Sequence, residues 1–380
     1  MSASGAQPQV QTGLEGVVAS VSAVSFVDGI EGRLLYQGYD IHDLAAHSSF
    51  EEVVYLLWHG ELPTREQLDT LRRELAEARA LPADVLKMVG ALPRSADPMD
   101  VLRTVVSALG LYDPDSHDQT TSSNVRKATR LVAQFPTIIA AYHRFRQDRS
   151  PVPPRPKQSH AADFLSMLLG GKPDPEHVRA MDVALILQAD HELNASTFSA
   201  RVTAATLSDI YSAITSAIGT LKGPLHGGAN EGVMKLLQEI GSVEAVDGAI
   251  REMLARKEKI PGFGHRVYRT EDPRAQHLRA LSQTLGSKAG DLRWFEMTKR
   301  VEAVVTKEKQ IHPNVDLYSA SVYASMGVPL DLFTPIFAVS RISGWTAHVL
   351  EQYADNRLIR PRAEYVGPTR RDYLPLDRRS

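Results

Sequence analysis

A nearly all-α chain with one small β element near its start is what this sequence predicts, and three observations carry the prediction. After residue 40 the apolar residues recur at helical spacing. Helix-start signatures punctuate that pattern, as in Thr64 with Gln67 and in Asp97-Pro98. Only residues 14–40 crowd β-branched and aromatic residues (Val17, Val18, Val21, Val24, Phe26, Val27) against the turn pairs Asp28-Gly29 and Glu31-Gly32.

The elements follow in order. Thr64 and Gln67 form a capping box, and Leu68, Leu71 and Leu75 continue on one helix face. Asp97 caps a helix with Pro98 at its tolerated first position, and Gly110 is expected to close it. Helical periodicity resumes over about 123–146. Four prolines (151, 153, 154 and 156) make the stretch from Gln147 to Gln158 an extended surface connection. Apolar helices are expected over about 161–169 and 176–190. Residues 195–221 are rich in small side chains, among them Ala204, Ala205, Ser212, Ala213, Ser216, Ala217 and Gly219. Such residues let helix backbones approach closely, which suits a buried helix or a subunit contact.

Composition narrows the function classes. A chain of 380 residues holds roughly two to three domains' worth of sequence. The net charge of −2 argues against a general nucleic-acid binder. With no cysteine, disulfides, thiol nucleophiles and cysteine metal sites are excluded. Residues Met1 to Gly13 are small and polar, unlike a signal peptide, and no apolar run reaches the ~18 residues of a membrane span. A soluble cytoplasmic protein is expected. Despite 13 histidines there is no HExxH spacing, and no metal is expected. Neither a G-x-S-x-G elbow nor a P-loop is present.

The chemistry-bearing segments are four. In Gly223-Pro224-Leu225-His226-Gly227-Gly228 a histidine is pinned between glycines, and a helical period (Val233, Leu236, Leu237, Ile240) follows at once. His226 therefore belongs at or just before a helix N-terminus, where the dipole disfavours a charged imidazole. A neutral imidazole there can donate to an oxygen gaining negative charge, a device of enol chemistry; it can equally be a helix-capping residue. In Lys259-Ile260-Pro261-Gly262-Phe263-Gly264-His265-Arg266 an irregular loop presents His265. The seven basic residues between Arg256 and Arg279 suit phosphates or carboxylates. Asp316, ahead of the run Val322, Tyr323, Met326, is either an N-cap or a general base with a pKa tuned by burial. His191, in Asp190-His191-Glu192-Leu193-Asn194, is a core histidine or a ligand-facing one.

Taken in this order and spacing, DHELNASTF (190–198), GPLHGGANE (223–231), PGFGHRVY (261–268), NVDLYSA (314–320), the Ser340-Arg341 pair and Arg360-Pro361-Arg362 resemble the citrate synthase family, as do GLEGVVA and YQGYDIHDLA near the N-terminus. The resemblance implies an all-α, two-domain citrate synthase-like fold in a homodimer. Residues 1–225 and 328–380 would form the large domain, and residues 226–327 a small domain that closes over a cleft. It implies condensation of acetyl-CoA with oxaloacetate and hydrolysis of the thioester, with acetyl-CoA as substrate and no tightly bound cofactor. By the same resemblance Asp316 is the base on the acetyl methyl group. His226 donates to the nascent enolate oxygen, and His265 polarises the oxaloacetate carbonyl. His191, Arg274, Arg341 and Arg360 would bind oxaloacetate, Arg360 reaching in from the partner subunit. Lys257, Lys259, Gly262, Gly264, Arg266 and Arg269 would meet CoA.

Two departures accompany the resemblance. Gln37 stands where many relatives carry arginine, which weakens an anion-binding reading of that segment. The N-terminal part is short beside hexameric relatives regulated by NADH, so a plain dimer is expected. Two rival functions share the motifs. A methylcitrate synthase would use propionyl-CoA, and one methylene discriminates by only about 1–3 kcal/mol. A non-catalytic relative that binds CoA or organic acids is opposed by the intact set His226, His265 and Asp316.

Overall fold

The computed structural model describes residues 12–14 and 16–379, so Glu15 and most of the polar start expected to lack a targeting signal lie outside the described residues. The β element is narrower than residues 14–40. Strands β1 (Ser25–Asp28), β2 (Arg33–Tyr36) and β3 (Tyr39–Asp40) form an antiparallel sheet in sequence order. Ser25 pairs with Tyr36 and Asp28 with Arg33 across the Gly29–Gly32 turn. Val17, Val18 and Val21 are exposed and outside any strand. Their β-branched crowding has no partner strand among the described residues, and period-2 pairing needs one.

Sixteen α-helices follow among the described residues. They are α1 (Ile41–His47), α2 (Phe50–His59), α3 (Arg65–Ala78), α4 (Ala83–Ala91), α5 (Pro98–Tyr112), α6 (Thr121–Phe145), α7 (His160–Leu169) and α8 (Pro175–Gln188). The second half comprises α9 (Ala195–Ala204), α10 (Ile210–Leu221), α11 (Ala229–Ile240), α12 (Val246–Ala255), α13 (Pro273–Ala289), α14 (Arg293–Lys309), α15 (Val315–Ser325) and α16 (Phe333–Ala354). Thr64 and Gln67 cap α3 reciprocally, and Asp97 caps α5 with two backbone N–H groups. Gly110 does not end α5, which runs on to Tyr112. A Cβ at Gly110 would lie 3.2 Å from the Tyr211 side chain, so this glycine serves the close approach of α10 to α5 rather than a helix end. The small-residue stretch 195–221 is two helices, α9 and α10, packed on each other and around α16.

Helix α16 is buried along most of its length and packs against α2, α6, α8, α9 and α10. Helices α11 to α15 pack largely on one another, α13 and α11 each lying on α15. The cleft that holds the chemistry lies where α16 and the turn after α8 face the loops before α11, α13 and α15. No described helix is long and apolar enough to cross a membrane.

The small sheet has a defined task. Fully buried Tyr36 points its hydroxyl at the turn after α8, donating to the Asp190 carbonyl at 3.0 Å and accepting the Asp190 N–H at 3.2 Å. Tyr36→Phe keeps the ring and leaves those groups unpaired, so it should destabilise by about 1–3 kcal/mol. The check is a urea titration, in which the midpoint should fall with the slope unchanged.

Candidate active site

Local sequence dictates each wall of the cleft, which encloses about 720 Å³. His226 lies in the turn between α10 and α11. Gly227 allows that turn: its N–H donates to the Leu221 carbonyl at 3.0 Å, and a Cβ there would lie 2.5 Å from the same oxygen. Helix α11 begins at Ala229 with Gly228 as N-cap, but the helix end that His226 faces is that of α9. The Ser196 N–H, in the first turn of α9, donates to His226 Nε2 at 3.2 Å. Ser196 Oγ lies 2.8 Å from the same nitrogen and accepts the Trp345 indole N–H at 3.1 Å. A backbone N–H only donates, so Nε2 carries no proton and Nδ1–H is the donor left for a ligand. Burial, with Arg341 nearby, holds the His226 imidazole down at about 4.

His265 is locked in the opposite sense. Its Nδ1 accepts the Val267 N–H at 3.0 Å and the Tyr268 N–H at 3.1 Å, which leaves Nε2–H as donor. Burial and then Arg274 bring it down to about 4. The loop owes its path to Gly262, whose φ of +84° no β-carbon residue adopts readily and whose Cβ would lie 3.0 Å from the Leu317 backbone. Asn314 laces this loop to the start of α15: its N–H donates to the Gly262 carbonyl at 2.9 Å and its side chain to the Gly264 carbonyl at 3.0 Å. Asn314 is also the N-cap of α15, taking the place that spacing alone allowed Asp316. Asp316 sits in the first turn, partly open to the cleft, and its carboxylate has no hydrogen-bond partner among the described residues. Burial pushes it up to about 7, with Arg274 pulling it back only in part.

The cationic side is equally buried. Arg274, first in line after the Asp272-Pro273 cap of α13, pairs with Asp272 through two hydrogen bonds at 2.9 and 2.7 Å. Burial pulls its pKa down, but Asp272 more than offsets that. Arg341, on α16, is 2% exposed. Its Nε donates to the Gln188 carbonyl at 2.8 Å and its guanidinium lies over the Phe337 ring, but no carboxylate pairs with it among the described residues. Burial lowers it to about 10, so it stays charged at neutral pH. His191 is held far below its ordinary value by burial, then by Arg274 and His265. Its ring stands edge-on to His265 with centroids 5.0 Å apart. The arrangement can hold a small dianion between two arginines, donate from two neutral imidazoles, and accept a proton at Asp316.

The structure brings His191, His226, His265, Arg274, Asp316 and Arg341 to one cleft, with Lys259, Gly262, Gly264 and Arg266 along its wall. Lys257 and Arg269 are exposed and do not line it, and the Arg269 N–H bonds to the Gly29 carbonyl at 2.8 Å. Arg360 is exposed on the C-terminal arm beside a second cavity and does not line the cleft of its own chain. Sequence reasoning missed Ser196, Trp345, Tyr268 and Asp272. Ser196 and Tyr268 lie inside the motifs DHELNASTF and PGFGHRVY without a role having been read for them, and Asp272 carried the same Asp-Pro helix start recognised at Asp97-Pro98, whereas Trp345 carried no signal. No group of three or more His, Cys, Asp or Glu side chains could hold a metal among the described residues.

Comparison with known proteins decides the family. The family "Citrate synthase, C-terminal domain" matches residues 13–362. The chain belongs to the citrate synthase family. It is 54% identical to citrate synthase 2 of Bacillus subtilis over 369 residues, 97% of this chain and 99% of that one. It is 52% identical to the citrate synthase of Haloferax volcanii, covering 98% and 99%. A 2-methylcitrate synthase of Shewanella oneidensis is 44% identical over 97% of each chain. Among solved structures, the ternary complex of carboxymethyl coenzyme A and oxaloacetate with the citrate synthase of Thermoplasma acidophilum is 35% identical, with a TM-score of 0.92 over 98% of this chain and all of that one. This chain is therefore a citrate synthase-type acyltransferase with a mostly helical fold.

The raised carboxyl of Asp316 makes a pH-dependent stability prediction. Between about 4 and 7 the folded state holds a proton that the unfolded state has lost, so this group's contribution falls as pH rises through that window. Asp316→Asn should therefore match the parent near pH 4 and exceed it at pH 8, by on the order of a few kcal/mol. Denaturant titrations of both proteins at the two pH values test this; an equal difference at both would remove the buried-charge account.

Proposed function

We propose that Asp316, His226 and His265 carry the condensation of acetyl-CoA with oxaloacetate in this cleft. The observation that supports it best is the pair of locked, neutral imidazoles that line one cleft with a raised carboxyl. Asp316 takes a proton from the acetyl methyl group while His226 Nδ1–H donates to the thioester oxygen, so the enolate forms without a full unpaired charge. The methyl carbon then bonds to the oxaloacetate carbonyl carbon. The oxygen that becomes an alkoxide takes its proton from His265 Nε2, and the proton held on Asp316 returns to that ring through solvent, so both groups are restored. Water next cleaves the thioester, releasing citrate and CoA. Arg341 lacks a carboxylate partner, which suits an oxaloacetate carboxylate. Arg274 and His191 complete the clamp, since guanidinium forks fit carboxylates. Lys257, Lys259, Arg266 and Arg269 have no ion-pair partner among the described residues, which suits CoA phosphates, with Gly262 and Gly264 allowing close backbone approach.

We further propose residues 226–327 as a small closing domain and the rest as a large one, because α11 to α15 pack mainly on one another. A homodimer with shared sites is supported by the position of Arg360, exposed and away from its own cleft. Action in the cytoplasm is supported by a cysteine-free chain that needs no oxidising compartment to fold. No tightly bound cofactor enters the scheme. The alternative acyl donor, propionyl-CoA, is kept by the 44% identity to a methylcitrate synthase.

Two experiments test this reading. Purified protein should release CoA from acetyl-CoA only with oxaloacetate present, and Asp316→Asn should lower turnover by about 10²–10⁴-fold. In the same assay kcat/KM should favour acetyl-CoA over propionyl-CoA; the reverse ratio would make this a methylcitrate synthase. For the shared site, Arg360→Ala and His226→Ala should each be inactive alone, whereas verified heterodimers of the two should regain activity. Absence of recovery would assign Arg360 to its own subunit.

A further inference from the structure

The turn between α8 and α9 that presents His191 is strained and held from behind. Glu192 lies at φ +52°, a left-handed conformation unusual for a residue other than glycine. Such a conformation persists only where the surroundings over-determine it. The sheet supplies part of the grip. Ser25 Oγ donates to Asp190 Oδ2 and accepts the Glu192 N–H at 2.8 Å, and the Val27 N–H donates to Glu192 Oε1 at 3.2 Å. The Asn194 side chain donates to the His191 and Glu192 carbonyls, both at 3.4 Å, and helix α16 adds to the grip: the Gly344 N–H donates to the Ala189 carbonyl at 3.1 Å, and His348 Nε2 lies 3.3 Å from Asp190 Oδ2.

Behind His348 stands Arg201 of α9, with Nη1 3.1 Å from His348 Nδ1. A guanidinium only donates, so Nδ1 accepts and the ring proton sits on Nε2, facing Asp190. Arg201 is itself fixed, pairing with Glu351 and donating from Nε to Gln352 Oε1 at 3.1 Å. Asp190 and His348 are fully buried and Arg201 is 4% exposed, and none of the three lines the active-site cleft. The line Arg201, His348, Asp190 thus ends one residue short of His191. Asp190 Oδ1 has no hydrogen-bond partner among the described residues, so Ser25 and His348 supply the side-chain hydrogen bonds that orient this carboxylate.

We propose that His348 and Arg201 are positioning residues for oxaloacetate: acting through Asp190, they fix the turn that aims the His191 ring into the cleft. This rests on the reading of His191 as an oxaloacetate ligand. Metal-bound histidines show the same physics, in which the partner behind a ligand sets its orientation. Removing the partner behind a metal-bound histidine typically costs about 10–100-fold in affinity, and a loss of that order is expected here.

The test is a double-mutant cycle on oxaloacetate affinity, read by direct titration without acetyl-CoA. His348→Leu should weaken oxaloacetate about tenfold or more and raise its KM alike, with kcat and the acetyl-CoA KM within a few-fold of the parent. His348→Gln, which keeps a side-chain N–H donor, should recover most of that loss. With His191→Ala already in place, His348→Leu should have little further effect, because both act on one ring. Arg201→Gln offers the same reading from the far end of the relay should His348→Leu fail to fold. If His191→Ala alone leaves oxaloacetate affinity unchanged, the reading of His191 as a ligand falls first. If His191→Ala weakens binding but the His348 and Arg201 variants do not, or their losses add to it in full or fall equally on both substrates, the relay is overturned.

Discussion

A ring nitrogen that accepts a backbone N–H cannot also be protonated, and the candidate site is built on that constraint. His226 gives up Nε2 to the first turn of α9, and His265 gives up Nδ1 to Val267 and Tyr268. Each imidazole is thereby neutral with one known donor, Nδ1 in the first and Nε2 in the second. The geometry demands much of the chain. The turn before α11 must reach the N-terminus of a helix thirty residues earlier, which Gly227 permits, and the loop before α13 must fold back on its own histidine.

Electrostatics completes what the hydrogen bonds begin. Among the described residues the cleft buries Arg341 without a hydrogen-bonded carboxylate and Asp316 without a donor, two arrangements that cost stability in the free protein. A dianion between the arginines supplies the missing countercharge, while Asp316 is left with a pKa close to neutrality, where a base can both take and return a proton. Arg274 avoids the same burden by pairing with Asp272, so the two arginines are not equivalent. One is a preformed, oriented fork, and the other is a buried charge awaiting a partner.

Much of this was legible in the sequence. The capping box at Thr64, the Asp-Pro starts and the helical periods name helices that the structure contains, and the motif histidines with Asp316 do converge. What failed to show was long-range. His226 was expected to owe its neutrality to the helix that follows it, but the partner is α9, and burial with Arg341 dominates the shift. Gly110 looked like a helix end because its use, contact with Tyr211, lies a hundred residues away. Asn314 rather than Asp316 caps α15, a choice between two good capping residues that spacing could not make. Lys257 and Arg269 are exposed and off the cleft lining, and local charge in the sequence does not say which way a loop faces.

The N-terminal hairpin touches both walls of the cleft. Its strands hold the turn bearing His191 through Ser25, Val27 and Tyr36. Its own turn lies against the loop that follows His265: the Gly29 carbonyl accepts the Arg269 N–H, and Cβ atoms at Gly29 and Gly32 would collide with Val267 and Thr270. A small sheet at the rim of the molecule therefore acts as a spacer between two histidines that stand 74 positions apart in the chain. Tolerance to sequence change in such a segment does not follow solvent exposure. Drift at Gly29 or Gly32 alters the width of the site as directly as a change in the core would, so this half-exposed turn inherits the evolutionary constraint of the chemistry it never touches.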